Sequence, residues 1–243
     1  MIKGKRADLL LVERGLFESR AKARAAIEAG LVTADDRPVR KPSDTLATDC
    51  VLRAAPAHPW VSRGGVKLAA ALDHFGFDAK GRAGLDLGAS TGGFTEVLLA
   101  RGVRRVYAVD VGHGQLHASL AMRPEVVVLE GVDARKLAPA LIPEPLAFAT
   151  VDVSFISLKL VLPPLFALLR APAWLVALIT PQFEAGRRHL KKGVVRDPQV
   201  HAAVCDDIAA FVAAQGLRVV GIIPSPITGR DGNHEFLIGA SFD

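Results

Sequence analysis

The sequence predicts a doubly wound α/β sheet preceded by a small, basic α+β head. Three observations carry this. Runs rich in valine, isoleucine and leucine recur from residue 84 onward (GLDLG, RRVYAVD, VVVLEG, AFATVDVSF, AWLVALITP, LRVVGIIPSP and HEFLIGASF), with helical segments between several of them. Strands covered on both faces need that composition. The first run ends in DLGASTGGF and is followed by TEVLLARG, so a strand closes in a glycine-rich turn that opens a helix. The last two runs are separated only by TGRDGN, too short for a crossover helix, so they pair antiparallel as a hairpin.

The head is read in chain order. Ser19 to Gly30, SRAKARAAIEAG, has an N-cap serine, helix-forming alanines and a glycine stop, with Ala23 and Ile27 on one face and Arg20 and Arg24 on another. LVTADDRPVRKP then reads as a short strand, a turn at residues 35–38 and a further extended piece that ends in ATDCVLRA. The Pro-containing AAPAHPW connects to the larger domain. From Ser62, SRGGVKLAAALDHFG reads as a helix with Leu68, Leu72 and Phe75 as its apolar stripe. The expected boundaries are 1–55 for the head, 56–61 for the linker and 62–243 for the α/β domain.

Composition narrows the function. At 243 residues and 50% hydrophobic content the chain can bury an ordinary core. The N-terminal apolar run is too short for a signal peptide and no stretch reaches the length of a membrane span, so the expectation is a soluble cytoplasmic protein. Cys50 and Cys205 lie far apart without metal-ligand spacing and read as core residues. His113 and His117 have i, i+4 spacing but no third ligand, so no metal is expected. The net charge of +5 and the basic pI favour an acidic partner. The placement says more: Lys5, Arg6, Arg14, Arg20, Lys22 and Arg24 crowd the head.

The glycine-rich turn is where a nucleotide-like cofactor would sit. Gly88, Gly92 and Gly93 let the backbone approach a ligand, and Asp110 closes the next strand, where such folds keep an acid for ribose hydroxyls. A dinucleotide fingerprint fits poorly because Ser90 occupies its second glycine position, and a Walker loop fails because no GK[ST] follows. Asp86 ahead of a small-residue loop resembles the S-adenosylmethionine site of class I methyltransferases. That resemblance implies a Rossmann-like sheet with a terminal antiparallel hairpin, and a cofactor site built from Asp86, Gly88, Ser90, Thr91, Gly92, Gly93, Phe94, Asp110, Val111 and Asp152. Asp133, after the third strand, is implied as an adenine partner; its other reading is a turn aspartate.

The head, through LLLVERGL, SRAKA, IEAGLV and RPVRKP, resembles the S-four-type RNA-binding domain. With VSRGGVKL, LDLGASTGGFT, VDVGHGQL, DVSFISL, PQFEAG, GVVRDP and GNHEFL following in order, the chain is similar to the TlyA, or haemolysin A, family of FtsJ-like methyltransferases. The resemblance implies methyl transfer from S-adenosylmethionine to ribose 2′-hydroxyls of ribosomal RNA. It implies ribosomal subunits as partners, and a Lys-Asp-Lys-Glu catalytic set that maps onto Lys67, Asp152, Thr180 and Glu235. RNA contacts are expected from Arg6, Arg20, Lys22, Arg24, Arg63, Arg187, Lys191 and Lys192, the last three from a basic loop that could equally be a solvated surface.

Thr180 departs from the family pattern, which has lysine before PQFE. Threonine carries no charge, so three outcomes stay open: Lys67 suffices as base with Asp152 and Glu235; another cation such as Arg187, Lys191 or Lys192 reaches in; or the chain binds cofactor and RNA without efficient turnover. Lys67 and Glu235 each also have a structural reading, as a solvent-facing helix residue and a turn cap. A membrane-lytic role, suggested by the haemolysin name, finds no spanning segment and no basic amphipathic helix with exposed bulky aromatics.

Overall fold

A computed structural model describes residues 4–229 and 232–243, apart from the Arg187 side chain. The chain divides into two units, Met1–Pro59 and Trp60–Asp243.

In the first unit, β1 (Gly4–Arg6) leads into α1 (Ala7–Glu13), followed by α2 (Arg20–Glu28), β2 (Val32–Ala34), β3 (Arg37–Pro38), β4 (Thr45–Ala47) and β5 (Leu52–Ala54). Ser19 caps α2 by accepting the Lys22 amide at 3.3 Å, and Gly30 turns the chain out in the left-handed region. Asp35 and Asp36 both take positive φ, which makes the tight turn between β2 and β3. Sequence analysis assigns no element to β1 or α1 and reads β4 and β5 as one extended piece; the turn expected at residues 35–38 is confined to Asp35 and Asp36, because Arg37 and Pro38 already pair with β2 as β3. Helix α1 has no side-chain cap at its start and spans only seven residues, so local signals are weak. Its helicity comes from Leu10 and Leu11, which bury against Ala23, Ile27 and Val32.

The second unit is built on a seven-stranded sheet. In chain order it comprises α3 (Gly64–Phe75), β6 (Ala83–Leu87), α4 (Gly93–Ala100), β7 (Arg105–Asp110), α5 (Ala118–Ala121), β8 (Val126–Glu130), β9 (Leu146–Val151), α6 (Leu158–Phe166), β10 (Leu169–Ile179), α7 (Pro181–Glu184), α8 (Pro198–Ala214), β11 (Arg218–Pro224) and β12 (Phe236–Phe242). The strand order is β11-β12-β10-β9-β6-β7-β8. The five strands β8, β7, β6, β9 and β10 run parallel, and β12 inserts antiparallel between β10 and β11. The terminal hairpin therefore does more than close an edge: it brings the start of β12 beside the end of β10.

Alternation along the strands feeds two apolar layers. Leu85, Leu87, Val109, Ala149 and Val151 face the layer completed by α6 and α8, while Val106, Ala108, Phe148, Trp174 and Val176 face the layer completed by α3 and α4. On the second face the rings of Phe77, Trp174 and Phe148 stack at centroid spacings of 5.2 and 4.7 Å. Gly84 lies directly beneath them, and a Cβ there would stand 2.2 Å from the Phe148 ring. Rings that large fit between sheet and helices only above a glycine. Among the described residues no helix is long and apolar enough to cross a membrane, and Cys50 and Cys205 are both buried and unpaired.

Both tryptophans, Trp60 and Trp174, belong to the second unit, so tryptophan emission reports its unfolding. Gly84→Ala is expected to lower the stability of that unit by about 1–3 kcal/mol, read as a lower urea midpoint. An unchanged midpoint would show that the stack yields without cost.

Candidate active site

The carboxyl ends of the parallel strands carry the site. Starting from β12, one meets Glu235 just before that strand, Thr180 just after β10, Asp152 just after β9, the turn 88–93 after β6, and Asp110 at the end of β7. Ligands of doubly wound sheets sit along this edge.

The turn is shaped by left-handed residues: Gly88, Ser90 and Gly92 have φ of 82°, 46° and 98°. Gly88 lies against β9 so closely that a Cβ would fall 2.2 Å from the Asp152 carbonyl oxygen. Gly93 packs under α3, where a Cβ would meet Ser62 Oγ at 2.2 Å and the Gly65 nitrogen at 2.9 Å. Gly92 is hemmed in by Leu116 and Leu120. Any side chain at these three positions would close the cradle or push α4 away from it.

Asp110 holds the cradle from the far side. Its Oδ2 accepts the Ser90 amide at 2.8 Å and its Oδ1 accepts the Gly112 amide at 2.7 Å. Each carboxylate oxygen has further lone-pair capacity for ribose hydroxyls. Behind it Glu130, the register partner of Asp110 on β8, accepts the amides of Gln115 at 2.8 Å and Leu116 at 3.1 Å, and these backbone bonds hold its carboxyl below the usual range. Sequence reasoning missed Glu130, whose role depends on a loop folding back over the edge.

Asp86 is completely buried (0% exposed). Its oxygens accept hydrogen bonds from Thr95 Oγ1 on α4 at 2.6 Å and Thr150 Oγ1 on β9 at 3.1 Å. Asp86 thus joins β6 to its neighbouring strand and to the first turn of α4. Burial, opposed only in part by the two threonines and reinforced by Asp152, pushes its carboxyl up to about 7.

At the other end of the edge, Lys67 of α3 is 8% exposed and its Nζ lies 2.7 Å from Glu235 Oε2. The solvent-facing reading of Lys67 does not hold, because the helix turns this residue inward with Leu68 and Ala71. Asn233, buried and unassigned from sequence, donates Nδ2 to Glu235 Oε1 at 3.2 Å. Gly229 makes room for both, since a Cβ there would meet Asn233 and Glu235 within 2.5 Å. Glu235 is therefore the partner of a buried lysine and not a turn cap. The Asp152 carboxyl is pushed up by burial; Lys67 opposes that shift and Glu235 adds to it. Thr180, also buried, sits where β10 and β12 meet and brings no charge.

Phe155 is a further residue that sequence reading passed over, after Glu130 and Asn233. It follows Asp152 in a loop, takes a φ of 65°, and is 91% exposed. Its ring lies 5.1 Å from that of Phe183 in α7. Glu184, at the end of the same helix, accepts Ser157 Oγ at 2.5 Å and the Leu158 amide at 2.8 Å, so the two loops are tied together. An exposed aromatic in a sterically costly backbone beside reactive groups offers a face for stacking a planar ligand.

Other expected site residues fall less centrally. Phe94 packs into the core between α3 and α4, Val111 and Thr91 are exposed beside the cradle, and Asp133 caps the turn 134–136 while its carboxylate binds Arg135 at 2.6 Å. Arg63, Lys191 and Lys192 are exposed, and the Arg187 side chain lies outside the described residues. No group of three or more metal-ligating side chains occurs among the described residues.

Asp86 generates a pH test. Its folded-state value lies above the unfolded 3.8, so the folded state holds the extra proton and loses stability as pH rises from about 4 to 7. Asp86→Asn is expected to gain on the wild type across that window, at a slope approaching about 1.4 kcal/mol per pH unit, in urea unfolding followed by tryptophan emission. Parallel pH profiles would mean that Asp86 is ionised in the fold.

Comparison with known proteins agrees with this geometry. The family model of FtsJ-like methyltransferases matches residues 60–242, and that of the S4 domain matches residues 5–49. YqxC of Bacillus subtilis is 47% identical, over 97% of this chain and 85% of its own. The 16S/23S rRNA (cytidine-2′-O)-methyltransferase TlyA of Mycobacterium tuberculosis is 45% identical, over 98% of this chain and 90% of its own. A solved structure from Streptococcus thermophilus superposes with a TM-score of 0.78 at 39% identity, covering 100% of this chain and 90% of that one. The chain belongs to the FtsJ-like methyltransferase family, in its TlyA-type form with an N-terminal S4 domain.

Proposed function

We propose that this protein transfers the methyl group of S-adenosylmethionine to a ribose 2′-hydroxyl of ribosomal RNA. The observation that carries the proposal is the buried Lys67–Glu235 pair, set beside Asp152 on the same sheet edge as the glycine cradle. The mycobacterial relative, named as an rRNA cytidine-2′-O-methyltransferase, supports it.

The residues fit the cofactor. The turn 88–93 would take its methionine end, Asp110 its ribose, and the loop held by Glu130 would wall the nucleoside side. Bound there, S-adenosylmethionine supplies an electrophilic methyl on a sulfonium.

The chain's own residues supply the remainder. A ribose hydroxyl is a weak nucleophile and must lose its proton as it attacks, so a base and a cation are needed at its oxygen. Lys67, as the neutral amine, accepts the hydroxyl proton, and the ammonium so formed stays at the oxygen paired with Glu235, which Asn233 holds in place; Asp152 stands next to Gly88 at the junction of the acceptor and cofactor sites. Phe155, with Phe183 behind it, stacks the base of the target nucleotide, which must leave its helix to present the sugar. RNA contacts come from the first unit and from Arg63, Lys191 and Lys192, with residues 1–55 as the binding head, 56–61 as linker and 62–243 as the catalytic domain. The substrate places the protein with ribosomes in the cytoplasm.

Purified ribosomal subunits incubated with labelled S-adenosylmethionine, followed by mapping of ribose methylation, test the proposal; no incorporation at any ribose would overturn it. Lys67→Met is expected to lower kcat by about 10²- to 10⁴-fold, with cofactor binding by calorimetry retained. Because Lys67 with its carboxylates suffices, Thr180→Lys is expected to change kcat by less than about tenfold, whereas a gain of about 10²-fold or more would mean that the natural chain is an impaired enzyme.

A further inference from the structure

In the first unit three elements converge on one acid. Asp8, in the first turn of α1, is 2% exposed. Arg6, the last residue of β1, donates Nε to Asp8 Oδ1 at 3.0 Å and Nη2 to Oδ2 at 3.1 Å. Arg20, the first residue of α2, donates Nε and Nη2 to the same Oδ2 at 3.2 and 2.8 Å. The arginines themselves are not buried: their side chains are 43% and 58% exposed.

A buried carboxylate needs a partner, and one arginine would satisfy it. The second makes the group net positive and sets two planar cations side by side, both with an Nη2 on one oxygen. Since Asp8 engages Nε and Nη2 of each, both Nη1 groups remain outside the ion pairs. Free arginine side chains lose rotamer entropy when they grip a ligand; these two have already lost it. Hydrogen bonds from Arg6 hold the Asp8 carboxyl well below the usual range against the effect of its burial, so the charge that organises them persists at any working pH.

We propose that Asp8 is a positioning residue that fixes Arg6 and Arg20 as a two-pronged clamp for a single RNA phosphate, so that this negative charge strengthens binding to RNA. The inference rests on the RNA-methylating function proposed above. It opposes the simple charge argument, in which removing an acid from a basic head tightens its hold on a polyanion.

Filter binding of the full chain to purified ribosomal RNA, between about 50 and 200 mM salt, tests it. Asp8→Asn, despite raising the net charge by one, is expected to weaken binding about tenfold and to make the slope of log K against log salt shallower by about one phosphate contact. Arg20→Gln should do the same, and the double variant should be no worse than Arg20→Gln alone, a coupling that mere loss of stability would not produce. Equal or tighter binding by Asp8→Asn overturns the clamp. If that variant does not fold, Arg20→Lys decides: it keeps the charge and the Asp8–Arg6 pair, so a several-fold loss supports the clamp and unchanged affinity overturns it. A wild-type chain that fails to bind ribosomal RNA removes both this inference and the function beneath it, whereas one that binds and methylates while Asp8→Asn binds more tightly removes the clamp alone.

Discussion

One buried lysine serves two buried acids along a single sheet edge. Lys67 neutralises Glu235 directly and acts on Asp152, while Asp86, deeper on the same edge, is left to two threonine hydroxyls and carries its proton to near neutrality. Charges in a dry site are tolerated only when paired or neutralised, and this cluster does some of each. The arrangement holds α3, β6, β9 and β12 in register at the point where cofactor and acceptor sugar would meet. Thr180 adds no charge to this cluster, and burial, with Glu235 nearby, holds the Asp152 carboxyl above its usual range against the pull of Lys67.

Geometry around the glycines is as restrictive as the electrostatics. Gly88 brings the cofactor turn against the Asp152 backbone, Gly93 seats α4 under α3, and Gly229 admits Asn233 and Glu235. Under the proposed function, each contact joins a cofactor element to an acceptor element, or brings two acceptor groups together. The placement of β12 between β10 and β11 has the same effect at larger scale, because it carries Glu235 from near the end of the chain to the side of residue 180.

The first unit solves a related problem with the signs reversed. Instead of one cation among acids, a buried acid gathers cations that remain open to solvent on their outer edges. Elsewhere on that unit the pairs are ordinary surface ones, Lys22 with Glu18 and Arg24 with Glu28, which are screened and exchangeable. The basic residues counted from sequence therefore differ in kind: Arg6 and Arg20 share one buried acid, while Lys22 and Arg24 pair with exposed ones.

Much of this was readable before any coordinates. Seven apolar runs became seven strands, the central ones because burial on both faces demands continuous valine, isoleucine and leucine, and the Ser19 cap and the positive φ of Asp35 and Asp36 are local backbone features. Motif order sufficed to identify the family. Lys67, Asp152 and Glu235 were singled out by resemblance, yet nothing in the spacing of residues so far apart states that an ammonium and a carboxylate lie 2.7 Å apart. Asn233, Glu130, Phe155 and the convergence on Asp8 were invisible for the same reason: burial, exposure and hydrogen-bond partners are set by strands and helices distant in sequence. Sequence determined which elements form and which chemistry is available; tertiary structure alone decided which charges meet, because a pairwise distance belongs to the packed chain and not to any local stretch of it.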